Sequence, residues 1–314
     1  MFQNKFTQML GINYPIIQGG MAWIADAKLA ASVSNAGGLG LITGFASIDW
    51  LRDEIKKAKA LTDKPFGVNI MLMHPEVDEV ARLVCTEGVK VITTGAGTPS
   101  KYMDMWKSHG IKVIAVVPSV ALAKRLERAG VDAIIAEGCE AGGHIGQLTT
   151  MALVPQVVDA VSIPVVAAGG IGDGRGVAAS FMLGALAVQV GTRFLVANEC
   201  FVHENYKDKV ISAKDIDTDV TGRDTGHPVR VIRNKLSRRF LQLEKERAGK
   251  EEYDAIGTGA YKKAIFDGDV EYGSVMAGQI SGLINKKQSS FEIIEEMFSE
   301  AEILLKKGIG VFNG

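Results

Sequence analysis

The chain has few cysteines, few prolines and no long hydrophobic run. Its three cysteines, Cys85, Cys139 and Cys200, are odd in number and widely spaced, so we expect neither a disulfide framework nor a zinc cluster. No stretch approaches the roughly 18 unbroken apolar residues that a membrane-spanning helix needs. Residues 1–20 lack the charged and then apolar layout of a signal peptide. We therefore expect a cytoplasmic protein without a membrane anchor.

The chain also lacks an excess of either charge. Its 314 residues include 35 Lys and Arg against 36 Asp and Glu, a formal net charge of −1, which argues against a nucleic-acid-binding protein. Hydrophobic residues make up 47% of the chain and charged residues 23%, as in a folded globular protein. Glycine is abundant instead, with 36 residues against 8 prolines. Many glycines follow apolar runs, so we look for functional loops there.

Short apolar runs recur along the first two thirds of the chain, with amphipathic segments between them. The eight runs are Pro15–Gly20, Leu39–Gly44, Phe66–Leu72, Val89–Gly95, Lys112–Pro118, Ala133–Glu137, Pro164–Gly169 and Ala187–Gly191. They are uniformly apolar, as expected for strands of a parallel sheet that is buried on both faces. The segment Val77–Cys85, like others between the runs, repeats apolar residues at helical spacing. Eight such units predict an α/β fold, a TIM (β/α)8 barrel, rather than a doubly wound sheet.

The strand periodicity stops after Arg193. From Asn198 to Tyr272 the chain is charged and has helical stretches but no strand-like run. Ser289–Glu292 then matches a capping box at the start of an amphipathic helix. We expect a barrel domain of residues 1–197 and 273–314. Residues 198–272 form a helical insertion after the eighth strand, above the strand carboxyl ends, where barrel active sites lie.

Most of the predicted strands end in a cluster of glycines or other small residues. Glycine lets backbone N–H groups approach an anion closely, and TIM barrels often bind phosphate at the loops after strands seven and eight. The matching residues are Gly169 and Gly170 after the seventh strand, and Gln189, Val190, Gly191 and Thr192 at the eighth. A tight turn explains any single glycine equally well, but the two clusters together predict a phosphate site. Neither a G-x-G-x-x-G after the first strand nor a P-loop motif occurs.

Among the five histidines, His144 is the candidate for catalysis. It lies in the glycine-rich segment Glu137–Gly146, and a histidine there titrates near neutral pH and can act as a general acid. The alternative is a loop histidine bonded to nearby backbone, whereas His203 and His227 in the insertion stay ambiguous. We expect no metal site, because H-E-x-x-H and C-x-x-C are absent. Cys139 is better explained as a small loop residue than as a nucleophile.

Five basic residues crowd one part of the insertion. They are Arg230, Arg233, Lys235, Arg238 and Arg239. A solvated helix face that pairs with nearby acidic residues is the commoner explanation for such a cluster. In a chain of otherwise balanced charge, the cluster would alternatively dock an acidic carrier or a phosphate-bearing substrate.

Several motifs, taken in order, carry a resemblance to a known family. They are Ile17–Ala22, Asn35–Gly40, Phe66–Asn69, Glu140–His144, Ala167–Ile171 and Gln189–Arg193. This set resembles the FMN-dependent nitronate monooxygenase (2-nitropropane dioxygenase-like) superfamily, which includes enoyl-acyl-carrier-protein reductase II, over essentially the whole chain. Three further stretches are similar to the enoyl reductase II (FabK-type) branch. They are Thr93–Gly97 with Pro99–Tyr102, Gly226–Arg230 and Gly273–Gln279.

The resemblance implies a TIM barrel with FMN at its mouth. The FMN phosphate would lie against the Gly169–Gly170 and Gln189–Thr192 loops, in agreement with the glycine pattern. The isoalloxazine ring would lie along Gly20, Met21, Ala22 and Asn69. Glu137, Gly142 and Gly143 would complete the cofactor-binding residues, and His144 would stand beside the ring.

The resemblance also implies a reaction. NADH or NADPH would reduce FMN, and a hydride would then pass to the β-carbon of a trans-2-enoyl thioester in fatty-acid elongation. His144 would donate a proton or a hydrogen bond to the thioester, and the basic cluster would dock an acyl carrier protein. A homodimer and activation by a monovalent cation are further implications.

Two alternatives to the reductase stay open at the level of sequence. One is a nitronate monooxygenase that oxidises alkyl nitronates with oxygen at the same FMN site. The other is a non-catalytic barrel that only binds flavin or phosphate. Both alternatives use the same glycine clusters, so residue chemistry alone does not separate them from the reductase.

Overall fold

Eight parallel strands alternate with helices and close into a TIM barrel, as the spacing of the apolar runs predicts. The computed structural model describes residues 2–308; Met1 and residues 309–314, which the predicted barrel domain includes, lie outside the described part. The barrel strands are β1 (Ile16–Gln18), β2 (Gly40–Thr43), β3 (Phe66–Met71), β4 (Val91–Gly95), β5 (Lys112–Val117), β6 (Ala133–Glu137), β8 (Val165–Ala168) and β9 (Ala187–Val190). They pair in the order β1-β9-β8-β6-β5-β4-β3-β2, and a parallel bridge between Ile17 and Leu39 closes the ring.

Helices surround the barrel and fill the later part of the chain. They are α1 (Lys5–Leu10), α2 (Ala27–Asn35), α3 (Ile48–Leu61), α4 (Val77–Thr86), α5 (Met103–Ser108), α6 (Val120–Arg128), α7 (Thr150–Val158), α8 (Gly174–Met182), α9 (Thr192–Leu195), α10 (Glu204–Ile211), α11 (Lys235–Glu246), α12 (Lys250–Gly257), α13 (Ala260–Lys262) and α14 (Ser290–Lys307). Short 3-10 turns occupy Pro99–Lys101 and Gln279–Leu283, and Lys263–Asp267 forms a π-helical turn. No helix in residues 2–308 is both long enough and apolar enough to cross a membrane.

Apolar side chains cover both faces of the barrel strands. One buried cluster fills the inside of the barrel and includes Ile17, Leu41, Val91 and Ile135. A larger cluster lies between the strands and the surrounding helices. Because both faces are buried, these strands have no polar side to alternate with, which explains their uniformly apolar sequence.

The insertion differs from the sequence-based expectation. Helices α10 to α13 form within residues 198–272, but the prediction that this segment contains no strand is wrong. β10 (Thr218–Thr221) pairs antiparallel with β11 (Val229–Ile232), and β11 pairs antiparallel with β7 (Gly143–His144). These strands have only four residues each; the half-buried β10 mixes polar with apolar residues, and the mostly buried β11 contains the charged Arg230, so an apolar-run criterion misses them. The domain bounds stay a prediction.

The last helix begins at the predicted capping box. The Ser289 hydroxyl accepts a hydrogen bond from the Glu292 backbone N–H at 3.2 Å, and the Glu292 carboxylate accepts one from the Ser289 backbone N–H at 2.7 Å. α14 packs its buried face against α8 and α2. The cap therefore fixes the start of a helix that covers one side of the barrel.

Replacing Ser289 with Ala removes the side-chain half of this cap. We expect the free energy of unfolding to fall by about 1 kcal/mol, because one N–H of the first turn loses its acceptor. Urea unfolding measures the change. Ser299→Ala is the matched control on the same helix, since Ser299 is exposed and inside α14, and it should leave stability unchanged or slightly higher. Equal losses in the two variants would contradict the capping role.

Candidate active site

The inside of the barrel changes from apolar to polar at the carboxyl ends of the strands. Ile135 and Ala187 belong to the inner apolar cluster, so Glu137 and Gln189, two positions further along their strands, face the mouth of the barrel. The Thr93 hydroxyl donates to Asn69 Oδ1 at 2.8 Å in the same layer. The Glu137 carboxyl and the Gln189 amide form no hydrogen bond with other described residues. They are therefore free to contact a ligand in the mouth.

Burial strongly perturbs one of these groups. Desolvation raises the pKa of the Glu137 carboxyl to about 7, because no cation or hydrogen-bond donor in the described part of the chain compensates the ionised form. Near neutral pH the carboxyl is close to half protonated, so it can either donate or accept a hydrogen bond. A perturbed acid at the carboxyl end of a barrel strand is typical of a functional site.

The loop after β1 meets the end of β3 at one side of the mouth. Asn69 Nδ2 donates to the Gly20 carbonyl at 3.1 Å. A Cβ on residue 20 would lie 2.1 Å from the Cβ of Asn69, so this contact requires glycine. Met21 and Ala22 follow at half-buried positions. The structure thus brings together the four residues that the resemblance assigned to the flavin ring.

The loops after β8 and β9 lie next to the β1 loop, because β9 pairs with β1, and they can bind an anion. Gly169 and Gly170 have left-handed backbone angles, with φ of +88° and +72°. The backbone amides of Gly170, Gly191 and Thr192 donate no hydrogen bond to other described residues. The Gly19 amide donates to the Val190 carbonyl at 2.8 Å and ties this side to the β1 loop. Unused amides in adjacent glycine-rich loops match the predicted phosphate site.

His144 lies on β7, at an exposed position of the mouth. Its pKa is lowered, first because the surrounding wall desolvates the ring and second because of the charge on nearby His227. The imidazole makes no hydrogen bond with another described residue. A neutral imidazole offers one N–H donor and one acceptor nitrogen, and both are available to a ligand.

The segment Gly273–Gln279 lies across the loop that carries His144. The Gln279 amide donates to the Glu140 carbonyl at 2.9 Å, and a Cβ on Gly142 would lie 2.6 Å from the Ala277 backbone. The Gly278 amide donates to the Thr192 hydroxyl at 2.9 Å. This segment therefore connects the Gly142–Gly143 loop with the proposed anion site.

A large cleft opens within the insertion, between its hairpin, its helices and the segment that follows it. Its volume is about 1120 Å³, and its walls include His227, Val229, Phe240, Tyr253, Tyr261 and Met276. The rings of Phe240 and Tyr253 stack with centroids 6.0 Å apart. Val229 pairs directly with His144, so the cleft borders the histidine. The walls also include the charged residues Asp224, Arg247, Lys250 and Asp254, so the cleft offers a ligand both apolar and polar contacts.

The five basic residues of the insertion do not form one exposed surface. Arg230 is only 7% exposed, and its guanidinium donates to the Cys139 carbonyl and the Thr218 hydroxyl. Its assignment to a docking surface is therefore wrong, because the Arg230 side chain points into the protein. Arg233 pairs with Asp219, and Lys235 pairs with Glu271. Arg238 and Arg239 are exposed on α11.

The structure places the predicted cofactor residues at or after the carboxyl ends of the barrel strands, but the Val190 side chain is buried in the outer apolar cluster. Their roles stay predictions. Sequence reasoning did not identify three features of this region. They are the charge of His227 near His144, Met276 in the wall of the cleft, and the Cys139 carbonyl that accepts hydrogen bonds from Arg230. Gly226–Arg230 and Gly273–Gln279 stood out only as family motifs, without a structural role. The local sequence does not predict that Gly226–Arg230 contacts the loop with His144. The contact is made through β7, and a strand of two residues leaves no pattern in the sequence. In the described part of the chain, no cluster of three or more His, Cys, Asp or Glu could hold a metal.

Comparison with known proteins gives a consistent set of similarities. The family model described as nitronate monooxygenase matches residues 3–82 and 75–300. A probable nitronate monooxygenase from Staphylococcus aureus strain MSSA476 is 37% identical over 324 residues, covering 88% of this chain and 91% of that protein.

Two further similarities concern other activities. A Mycobacterium tuberculosis protein named (3aS,4S,5R,7aS)-5-hydroxy-7a-methyl-1-oxo-octahydro-1H-indene-4-carboxyl-CoA dehydrogenase is 34% identical over 340 residues, covering 95% of this chain and 96% of that protein. The solved structure of FabK from Thermotoga maritima is 47% identical, with a TM-score of 0.95 and 98% of each chain covered.

Replacing Glu137 with Gln should remove a pH dependence of stability. Folding raises the pKa of this carboxyl from 4.5 to about 7, so its contribution to stability is full below pH 4.5 and is lost as the pH rises through 7. The loss is at most on the order of 3 kcal/mol. We expect the Tm of the cofactor-free wild type to fall across this range, as measured by calorimetry, and that of E137Q to fall less.

The control for this measurement is Glu295→Gln, at an exposed position of α14. It should keep the pH dependence of the wild type. An E137Q variant with the same dependence as the wild type would contradict the assignment of this titration to Glu137.

Proposed function

The chain belongs to the nitronate monooxygenase family, and within it we propose that the protein is a flavin-dependent enoyl-acyl-carrier-protein reductase. It is an oxidoreductase with a TIM-barrel fold. The observation that carries the finer proposal is the similarity to FabK from Thermotoga maritima, which extends over the insertion as well as the barrel. The substrate is then a trans-2-enoyl thioester on acyl carrier protein, with NADH or NADPH as reductant, in fatty-acid elongation.

The cleft supports a thioester over the alternative substrate, an alkyl nitronate. Relatives named nitronate monooxygenase are 34% and 37% identical to this chain, so membership of the family does not decide between the two substrates. A small nitronate needs little more than the mouth of the barrel, whereas the cleft of about 1120 Å³, whose wall residue Val229 pairs with His144, is large enough for an acyl chain and its carrier arm. The relative from Mycobacterium tuberculosis is likewise named for a carboxyl-CoA substrate.

The mouth of the barrel fits FMN. The unused amides of Gly170, Gly191 and Thr192 match a phosphate, and the unpartnered Glu137 and Gln189 side chains face the space in front of them. Gly20, Met21, Ala22 and Asn69 form the neighbouring wall, where the ring would lie. When bound, FMN supplies the hydride chemistry, while the protein supplies binding, orientation and electrostatics.

In this proposal His144 polarises the substrate. Its lowered pKa favours the neutral imidazole, so we assign to it a hydrogen bond to the thioester carbonyl rather than transfer of a proton to the α-carbon. The N–H stabilises negative charge that develops on the carbonyl oxygen as the β-carbon accepts a hydride. Water in the open cleft supplies the proton for the α-carbon. The Gly273–Gln279 segment and the insertion hold the thioester against the mouth.

Replacing His144 with Ala tests this role. We expect the rate of enoyl reduction to fall by about 10²- to 10³-fold, because one donor to the developing oxyanion is lost. Flavin reduction by NADH should change little, since it involves no thioester. Anaerobic stopped-flow absorbance of the flavin separates the two steps. His109→Ala, at an exposed position at the end of α5, is the control. Equal losses in both steps would refute the assignment.

The remaining basic residues, Arg233, Lys235, Arg238 and Arg239, are proposed as a docking surface for acyl carrier protein. Replacing Arg238 with Glu should raise the KM for the carrier-bound substrate several-fold at low salt, and less at high salt. The KM for the same acyl group on a pantetheine thioester should not change. Arg125→Glu, at an exposed position of α6, is the control. An unchanged carrier KM in R238E would refute this surface.

Other features implied by the resemblance stay predictions. They are the homodimer, the preference for NADH or NADPH, activation by a monovalent cation, and the cytoplasmic location.

A further inference from the structure

Arg230 is a buried cation whose hydrogen bonds all go to neutral acceptors, while the Glu140 and Asp219 carboxylates act on it without forming an ion pair. The side chain is 7% exposed, and none of the ion pairs among the described residues includes it. Its guanidinium donates through Nε and Nη2 to the Cys139 carbonyl, at 3.0 and 2.9 Å, and through Nη1 to the Thr218 hydroxyl at 3.0 Å. Burial lowers its pKa. A buried charge with only neutral acceptors is costly, and an apolar side chain would serve packing alone better.

The acceptor of these bonds lies in the loop that joins Glu137 to His144. Gly138, Gly142 and Gly143 make this loop conformationally permissive. Outside contacts must therefore fix its course. The Cys139 amide donates to the Leu148 carbonyl at 2.8 Å, which leaves the Cys139 carbonyl as the point held by Arg230.

β11, the strand that carries Arg230, pairs with β7, the strand that carries His144. Arg230 pairs with Gly143, and Val229 pairs with His144, in the β11–β7 ladder. The Ile145 amide donates to the Pro228 carbonyl at 3.1 Å. The insertion thus contacts the loop at two places. The Arg230 side chain binds the Cys139 carbonyl, and the backbone of residues 228–230 pairs with that of Gly143–Ile145.

We propose that Arg230 is a positioning residue that sets the orientation of His144 by fixing the Cys139 carbonyl. This inference deepens the proposed function and rests on it for the identity of the reaction. The planar guanidinium directs two N–H groups to one carbonyl and a third to Thr218, a geometry that the single ammonium of lysine does not reproduce. The loop then has one course between the perturbed acid Glu137 and the histidine.

The first test is amide hydrogen exchange of residues 138–148 in the resting protein. In Arg230→Lys we expect exchange in this segment to rise by about tenfold or more, because the loop opens locally without global unfolding. Arg233→Lys is the matched control, since Arg233 lies next to β11 but is exposed and pairs with Asp219. Unchanged exchange in R230K would overturn the proposal. This measurement needs no substrate. It therefore tests whether Arg230 fixes the loop even if the protein does not reduce enoyl thioesters and the proposed function fails.

The second test is the partition of rates between the two half-reactions. R230K should lower enoyl reduction by about tenfold to a hundredfold, as expected for a catalytic group displaced by about 1 Å, while NADH-driven flavin reduction stays near that of the wild type. In H144A/R230K the two losses should not add, because Arg230 acts through His144. Additive losses, or equal losses in both half-reactions, would overturn the proposal.

Thr218→Val covers the case in which R230K does not fold. It removes one of the acceptors of the guanidinium and leaves the two bonds to Cys139 in place. We expect a smaller rise in exchange, confined to the same segment of residues 138–148. A T218V protein with a lower Tm and unchanged exchange in this segment would assign Arg230 a purely structural role and contradict the proposal.

Discussion

The antiparallel pairing of β7 with β11 is the contact on which the arrangement of the mouth depends. A glycine-rich loop after β6 has little structure of its own, yet it carries the candidate catalytic histidine. The insertion supplies the missing partner, because Val229 pairs with His144 and Arg230 with Gly143. The insertion therefore forms part of the candidate active site and does not only cover it. Val229 belongs both to the hairpin that pairs with the His144 loop and to the wall of the cleft.

A second constraint is the change from an apolar to a polar barrel interior. Below the mouth, residues such as Leu41 and Ile135 exclude water and stabilise the closed ring. Two positions higher, Glu137 and Gln189 have no partner among the described residues. Such groups cost stability unless a ligand satisfies them, and the raised pKa of Glu137 records that cost. The site is thus built to be completed by a bound group.

The sequence was sufficient for the barrel, because its strands depend on local pattern, whereas the roles of the glycine clusters and of His144 stay predictions. Strands buried on both faces must be apolar, and loops that approach an anion need glycine. It was insufficient for the β10–β11 hairpin, whose four-residue strands mix polar and apolar residues. It also misassigned Arg230, since a run of basic residues does not show that Arg230 points inward while Arg233 is exposed. Those features depend on contacts between segments that are distant in sequence.

The proposed reduction of an enoyl thioester is tested most directly by anaerobic loss of NADH absorbance in the wild-type, flavin-loaded protein. Crotonyl thioester is the substrate, and the control omits it. The account predicts loss of NADH that depends on the thioester and needs no oxygen, with butyryl thioester as product. A flavin-loaded protein that consumes neither NADH nor NADPH in the presence of the thioester, but oxidises an alkyl nitronate in air, would contradict it.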